Sequence, residues 1–268
     1  MNLEGHLQMH EHHRQSIQRT SEHFSSDPEV RALLLGGSIA HGFAVPTSDI
    51  DVMIVVSDRD YAERLRDGRL QFFDPTMCTY DGGYVDGKYL GESFLTKVAE
   101  SGSDPARFAF LDAQVLFSRI DGLDETLRAI VRYPVAEKAD RIQRFYAQFE
   151  TWHWYAHEGL KLNNRYLLGV AVNKMVLFGG RLILAHNEVL YPYHKWLLRV
   201  LERAADKPPG LLPRIAALCD DPCEENIRSF YDTVVQFRTW ECNVVWPTQF
   251  MLDSELTWLD GKSPIDDL

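Results

Sequence analysis

The pair Asp49 and Asp51 opens an apolar run, DIDVMIVV, whose β-branched residues are typical of a strand. Residues two apart on a strand project to the same face of a sheet. Two carboxylates at such a short distance repel each other unless a positive charge lies between them. Residues 36–56 contain no Lys or Arg to supply that charge. Mg²⁺ is the natural partner, because it accepts carboxylate oxygens and keeps positions for water and phosphate.

A glycine turn precedes this strand. Residues 30–35 form a short apolar run typical of a buried strand, which Gly36 and Gly37 close, and Ser38 is a good N-cap for a following helical turn. The glycines allow the backbone to approach a ligand, and the N–H groups at the start of a helix can hold phosphate oxygens. A polyphosphate site beside a metal site is what phosphoryl or nucleotidyl transfer requires.

The spacing of these motifs resembles a known signature. Gly37 and Ser38 are followed by ten residues and then by Asp49-Ile50-Asp51, as in the nucleotidyltransferase fold of the DNA polymerase β superfamily. The resemblance covers roughly residues 30–120. It implies that Asp49 and Asp51 hold Mg²⁺ or Mn²⁺, while Ser38 and the backbone of Gly36 and Gly37 hold the β- and γ-phosphates of a nucleoside triphosphate.

The same resemblance implies a third carboxylate on a neighbouring strand. The best match is Asp86, in the alternating stretch YVDGKYL at residues 84–90. Its role would be that of a metal ligand or of a general base for the acceptor hydroxyl. Asp74 and Asp81 are the alternatives, in a stretch (68–82) whose pattern indicates no clear element.

The hydrophobic pattern changes at Tyr133-Pro134. We predict an α/β (α+β) nucleotidyltransferase domain with a small mixed sheet over residues 1–134, followed by an all-α bundle over residues 135–268. Four strands are predicted in the first domain, at residues 30–35, 49–56, 84–90 and 113–120. Apolar residues at helical spacing predict helices in the second domain, at residues 136–160, 164–189, 193–205 and 223–246.

This arrangement of two domains is similar to that of antibiotic nucleotidyltransferases, such as the aminoglycoside and lincosamide enzymes. The resemblance implies that an NTP, usually ATP, donates a nucleoside monophosphate to a hydroxyl of a small acceptor, with pyrophosphate leaving. A helical lid in such enzymes carries a cation for the triphosphate, and Lys195 and Lys174 are the candidates here.

Two other functions stay open at this point. The motif is equally similar to that of toxin–antitoxin nucleotidyltransferases that adenylylate a partner protein, although those are usually short. A non-catalytic nucleotide-binding module is the third hypothesis, and the intact carboxylate pair argues against it. His153 and His157 share a helix face, but they lack the HExxH pattern and an evident third ligand. We therefore interpret this pair as structural or as lining the acceptor site.

The composition limits the partners. Lys and Arg number 28 against 39 Asp and Glu, a net charge of −11, which disfavours binding to extended nucleic acid. No apolar run is expected to span a bilayer, and residues 1–19 lack the apolar region of a signal peptide. Four cysteines, two of which (Cys219 and Cys223) could face the same side of a helix, are expected to be reduced thiols in the cytoplasm. The oligomeric state is not indicated.

Overall fold

A computed structural model of the chain describes residues 9–261, so the first residues of the histidine-rich N-terminus lie outside the described part. The chain divides between Arg132 and Tyr133 into two compact units. The first is a mixed sheet with helices, and the second is helical, as the sequence predicts.

The first unit contains five strands and six helices within its described residues. The strands are β1 Val30–Leu35, β2 Ile50–Val56, β3 Gln71–Asp74, β4 Val85–Gly91 and β5 Gln114–Ser118. The helices are α1 Glu11–Ser25, α2 Gly37–Ala40, α3 Asp58–Arg66, α4 Glu92–Ser101, α5 Asp104–Phe108 and α6 Leu123–Ile130.

The strand order in the sheet is β3-β4-β2-β1-β5. Strands β2 and β4 are parallel, and the other neighbouring pairs are antiparallel. The carboxyl end of β1 therefore lies at the same edge of the sheet as the amino ends of β2 and β4. The predicted turn and the predicted carboxylates meet at this edge.

Alternation along β2 explains why the sheet is covered on both faces. Ile50, Val52 and Ile54 belong to one buried cluster, which also takes in Ile17 and Phe24 of α1. Val55 belongs to a second cluster on the other face, with apolar residues of α4 and α6. Burying both faces accounts for the near-continuous apolar run of the sequence.

Two predictions about this unit are wrong. The predicted four strands omit β3, an edge strand of four residues in which exposed and half-buried positions alternate; it has no fully buried face, so its hydrophobic signal is weak. Ser38 is not the N-cap of α2, because the helix begins at Gly37 and Gly36 takes the cap position in an extended conformation.

The second unit consists of six α-helices and three 3-10 turns within its described residues. The helices are α7 Lys138–Lys161, α8 Arg165–His186, α9 Leu197–Arg203, α10 Leu211–Asp220, α11 Glu224–Val235 and α12 Trp246–Asp253. By length and composition α8 is apolar enough to cross a membrane, contrary to the sequence expectation, but half of that stretch is buried inside the unit. A core helix passes the same test.

Three details of the predicted bundle are also wrong. The predicted helices omit α10, which has Pro213 in its first turn, a position where proline is tolerated. The helix predicted to reach residue 246 ends at Val235, where the Trp240 indole donates to the Val234 carbonyl at 3.0 Å. Cys219 lies in α10 and Cys223 caps α11, so the two do not share a helix face.

Candidate functional site

The glycine turn packs directly against one of the predicted carboxylates. The Gly36 N–H donates to the Asp51 carbonyl at 2.9 Å, which continues the pairing of β1 with β2. Gly37 has φ +61°, and a Cβ at this position would overlap the Asp51 carboxylate. Gly37 is therefore required both for the backbone conformation and for the close approach of the turn to Asp51.

Ser38 lies in the first turn of α2 with its side chain 5% exposed. Its Oγ has no hydrogen-bond partner among residues 9–261. Helix bonding begins with the N–H of Ala40, so the earlier N–H groups have no partner within the helix. A buried hydroxyl without a partner is uncommon and needs an explanation; a phosphate oxygen at this turn would supply the missing partner.

The two predicted strand carboxylates, Asp51 and Asp86, are register partners in the parallel pair β2 and β4. Partners on neighbouring strands project to the same face, with backbones about 4.8 Å apart. Asp49 directly precedes β2, two residues before Asp51. All three carboxylates are partly exposed, so they are accessible to a ligand at this edge of the sheet.

A phenol that the sequence analysis missed lies among these carboxylates. Interaction with the Asp49 carboxylate raises the pKa of the Tyr84 phenol, and the charges of Asp51 and Asp86 add to the effect. Gln71 Nε2 also donates to Asp86 Oδ1 at 3.2 Å. The signal in the sequence was the alternation of β4, which puts Tyr84 two residues before Asp86 and on the same face.

The alternative third carboxylates have other surroundings. Asp74 accepts from the N–H and the hydroxyl of Thr76 at 2.6 and 2.7 Å, and these bonds lower its pKa. Asp81 lies exposed in a turn. Of the three candidates, Asp86 is the register partner of Asp51, whereas Asp74 and Asp81 are not.

The carboxylates fit a magnesium or manganese ion whose coordination shell is completed by phosphate oxygens of the substrate. Among residues 9–261 no three His, Cys, Asp or Glu side chains are grouped closely enough to form a metal cage. Mg²⁺ rarely uses such a cage, since it is usually held by one or two carboxylates together with phosphate oxygens and water. Asp51 with Asp86 beside it, and Asp49 nearby, supply that number of carboxylates. The assignment of all three as ligands stays a prediction.

The predicted cations belong to the second unit. Lys174 Nζ lies 6.0 Å from the centre of the Trp152 ring, and Lys195 Nζ lies 4.9 Å from that of Trp196. Lys174 is half-buried and Lys195 is exposed. Their contact with a triphosphate stays a prediction.

The histidine pair of α7 forms a polar chain within the second unit. The Nε2 atoms of His153 and His157 lie 2.9 Å apart, and His157 Nδ1 lies 3.0 Å from the Glu224 carboxylate. The His153 ring stacks on that of Tyr231 with centroids 3.8 Å apart. These contacts agree with a structural role for the pair.

Comparison with known protein families finds a match within the first unit. The family model described as nucleotidyltransferase domain matches residues 16–77, a segment that includes the glycine turn, Asp49 and Asp51. No curated protein matches the chain. A crystal structure of a nucleotidyltransferase-like protein from Exiguobacterium sibiricum 255-15 has a TM-score of 0.45 and 11% identity, over 96% of this chain and 83% of that one. Residues 16–77 of the first unit thus match a nucleotidyltransferase domain, and this match supports a nucleotidyltransferase enzyme.

Proposed function

We propose that the chain transfers a nucleoside monophosphate, with ATP as the donor, to a hydroxyl of a small molecule. The observation that carries the proposal is the register of Asp51 and Asp86 beside the turn at Gly37. A polyphosphate-binding turn next to a pair of adjacent carboxylates meets the two requirements of nucleotidyl transfer, which are orientation and charge neutralisation.

The residues of the turn hold the donor. The Ser38 hydroxyl and the first N–H groups of α2 bind oxygens of the β- and γ-phosphates, which become the leaving pyrophosphate. A bound Mg²⁺ or Mn²⁺ ion supplies neutralisation of the phosphate charge. Asp49 and Asp51 are the side chains that would hold it.

Asp86 lies on the far side of Asp51 from the turn, because β2 lies between β4 and β1. In this proposal its carboxylate takes the proton of the acceptor hydroxyl. The acceptor oxygen then bonds to the α-phosphorus as the bond from that phosphorus to the bridging oxygen breaks. The products are the nucleotidylated acceptor and pyrophosphate. Asp86 as a further metal ligand is the other role consistent with its position.

The identity of the acceptor rests on the resemblance to antibiotic nucleotidyltransferases, so an antibiotic is one proposed class. The proposal also includes a cytoplasmic location. All four cysteines, Cys78, Cys219, Cys223 and Cys242, are free thiols, which is usual in a reducing compartment.

A pyrophosphate-release screen tests the proposal. The protein is incubated with Mg²⁺-ATP and a panel of hydroxylated metabolites and antibiotics, and the product is identified by the mass of one added AMP. Asp49→Asn should abolish release and keep the folded circular dichroism spectrum. Asp74→Asn and Asp81→Asn are matched controls that should retain it. Unchanged pyrophosphate release by Asp49→Asn would reject the assignment. If a co-purified protein gains the AMP and no small molecule does, the acceptor is a protein.

A further inference from the structure

The loop that delivers Asp49 to the site is short and exposed. Residues 45–47 are all exposed, and two internal bonds close the loop, from the Ser48 N–H to the Val45 carbonyl and from the Val45 N–H to the Ser48 hydroxyl. Asp49 itself precedes the ladder, which begins with the Ile50 N–H and the Tyr84 carbonyl at 3.0 Å. Holding the Asp49 carboxylate in place therefore needs support on the loop side.

Two side chains from other segments supply that support. Tyr80 OH donates to the Ser48 carbonyl at 2.5 Å, and His12 Nε2 lies 2.9 Å from the Pro46 carbonyl. A carbonyl oxygen can only accept, so His12 Nε2 carries the proton of this bond. The two carbonyls lie one and three residues before Asp49, so the two hydrogen bonds hold the backbone that leads into Asp49.

The two supporting side chains are themselves held in a packed cluster. The rings of His12 and Tyr80 have centroids 4.4 Å apart. His13, which is fully buried, packs edge-on against both, at 4.4 and 5.2 Å. Thr79 ties the Tyr80 segment to α1, because its hydroxyl donates to the His12 carbonyl at 3.2 Å and its N–H to the Ser16 hydroxyl at 3.0 Å.

We infer that Tyr80 and His12 are positioning residues for Asp49. They act on the reaction through the Ser48 and Pro46 carbonyls, without touching the substrates. The inference rests on the proposed function, because it assumes that Asp49 binds the metal that bridges the nucleotide. Such sites need their ligands within about 0.5 Å of the productive geometry, and side chains behind the ligands provide that precision.

Losing either hydrogen bond should loosen Asp49 and weaken metal-dependent nucleotide binding. Removal of a residue that orients a metal ligand typically costs about 10-fold or more in metal affinity. A role limited to folding has another signature, since it lowers the amount of active protein and the melting temperature but leaves the affinity of the folded molecules unchanged.

The test is a calorimetric titration of the full chain with Mn²⁺ and a non-hydrolysable ATP analogue. Tyr80→Phe and His12→Ala should each weaken the Mn²⁺-dependent binding about 10-fold. His12→Gln, whose amide nitrogen can donate to the same carbonyl, should stay within about twofold of wild type. Tyr89→Phe is the matched control; this tyrosine packs under Arg64 and its loss should leave the affinity unchanged.

Asp49→Asn in the same titration separates the two proposals. If Asp49→Asn binds as tightly as wild type, the proposed function fails. If Asp49→Asn weakens binding while Tyr80→Phe and His12→Ala keep the wild-type affinity, the proposed function survives and the positioning role is overturned. Equal weakening by His12→Ala and His12→Gln would also overturn it, because the hydrogen bond would not be the cause.

Discussion

Asp51 and Asp86 stand side by side in the parallel pair β2 and β4, on the same face of the sheet. Like charges directly opposite each other on neighbouring strands destabilise a sheet, by roughly 0.2–1 kcal/mol. This carboxylate pair lies at the edge of the sheet where the glycine turn joins β1 to α2. In the proposed function a cation bound with the nucleotide would relieve the repulsion, so we expect folding stability and ligand binding to be coupled at this position.

Asp51→Asn separates these two effects. Without metal, the variant should melt at the wild-type temperature or slightly above it, because the repulsion with Asp86 is gone. Its turnover should fall on the order of 100-fold or more, since a carboxylate opposite the phosphates contributes several kcal/mol to the transition state. Pyrophosphate release and thermal melting, each with and without Mg²⁺-ATP, check both statements. A lower melting temperature without metal would contradict the repulsion.

Gly37→Ala should destabilise the first unit by about 1–3 kcal/mol, because Ala is strained at positive φ and its methyl group overlaps the Asp51 carboxylate. Chemical denaturation measures the loss. Two neighbours are graded controls. Gly42 also has positive φ, but a Cβ there meets nothing within 4 Å. A Cβ on Gly36 meets the end of the Met53 side chain at 3.3 Å and the Ala109 carbonyl at 3.8 Å. The expected order of destabilisation is Gly37, then Gly42, then Gly36.

Ser38→Ala should leave stability unchanged or slightly higher, since the lost hydroxyl is buried without a partner among residues 9–261. Nucleotide binding should weaken roughly 10-fold, the usual effect of losing one hydrogen bond to a charged group. Thermal melting without ligand and titration with a non-hydrolysable ATP analogue measure the two quantities. A fall in stability with unchanged nucleotide affinity would mean that Ser38 is structural.

The histidine pair predicts a pH dependence of stability in the second unit. Burial, and then the neighbouring His157, lower the pKa of His153 from 6.5 to about 4. The folded state thus favours the neutral ring, and the unfolded chain binds a proton more readily. The contribution of the neutral His153 ring to the free energy of unfolding is therefore fully present above pH 6.5 and is lost as the pH falls toward 4. The expected loss is about 1–2 kcal/mol after allowance for solvent screening.

Urea denaturation between pH 7 and pH 4 measures this effect. His153→Gln should show a smaller loss of unfolding free energy than wild type over that range, because Gln does not titrate. The matched control is His194→Gln, at an exposed position, which should follow wild type. Equal slopes for wild type and His153→Gln would show that this ring does not contribute.

The motif of the site was accessible to sequence reasoning because it is local. Gly37, Ser38, Asp49 and Asp51 lie within 15 residues of one another, and the strand period alone puts the last two on one face. The apolar runs of β1 and β2 were recognised for the same reason, since each is buried and rich in β-branched or long aliphatic side chains. Elements with weaker local signals, such as the edge strand β3 and the proline-containing start of α10, were missed.

The residues around the motif required the folded chain. Tyr80 and His12 are 68 residues apart in sequence, and only the packing of α1 on the segment before β4 brings both to the carbonyls that precede Asp49. No period along the chain encodes such a contact. That the Ser38 hydroxyl has no hydrogen-bond partner among residues 9–261 is also visible only in the structure, because burial and hydrogen bonding depend on all the neighbours.

By itself, the sequence determined the local motif of this protein: a glycine turn and a carboxylate pair, at the spacing from which we propose a phosphate and metal site. The tertiary structure decided which third carboxylate joins that pair. The alternation of residues 84–90 favoured Asp86 over Asp74 and Asp81, but only the parallel register of β4 with β2 puts Asp86 beside Asp51. The physical reason is that strand pairing is a long-range choice, set by the packing of both faces of the sheet, whereas the motif depends on bonds between near neighbours in the chain.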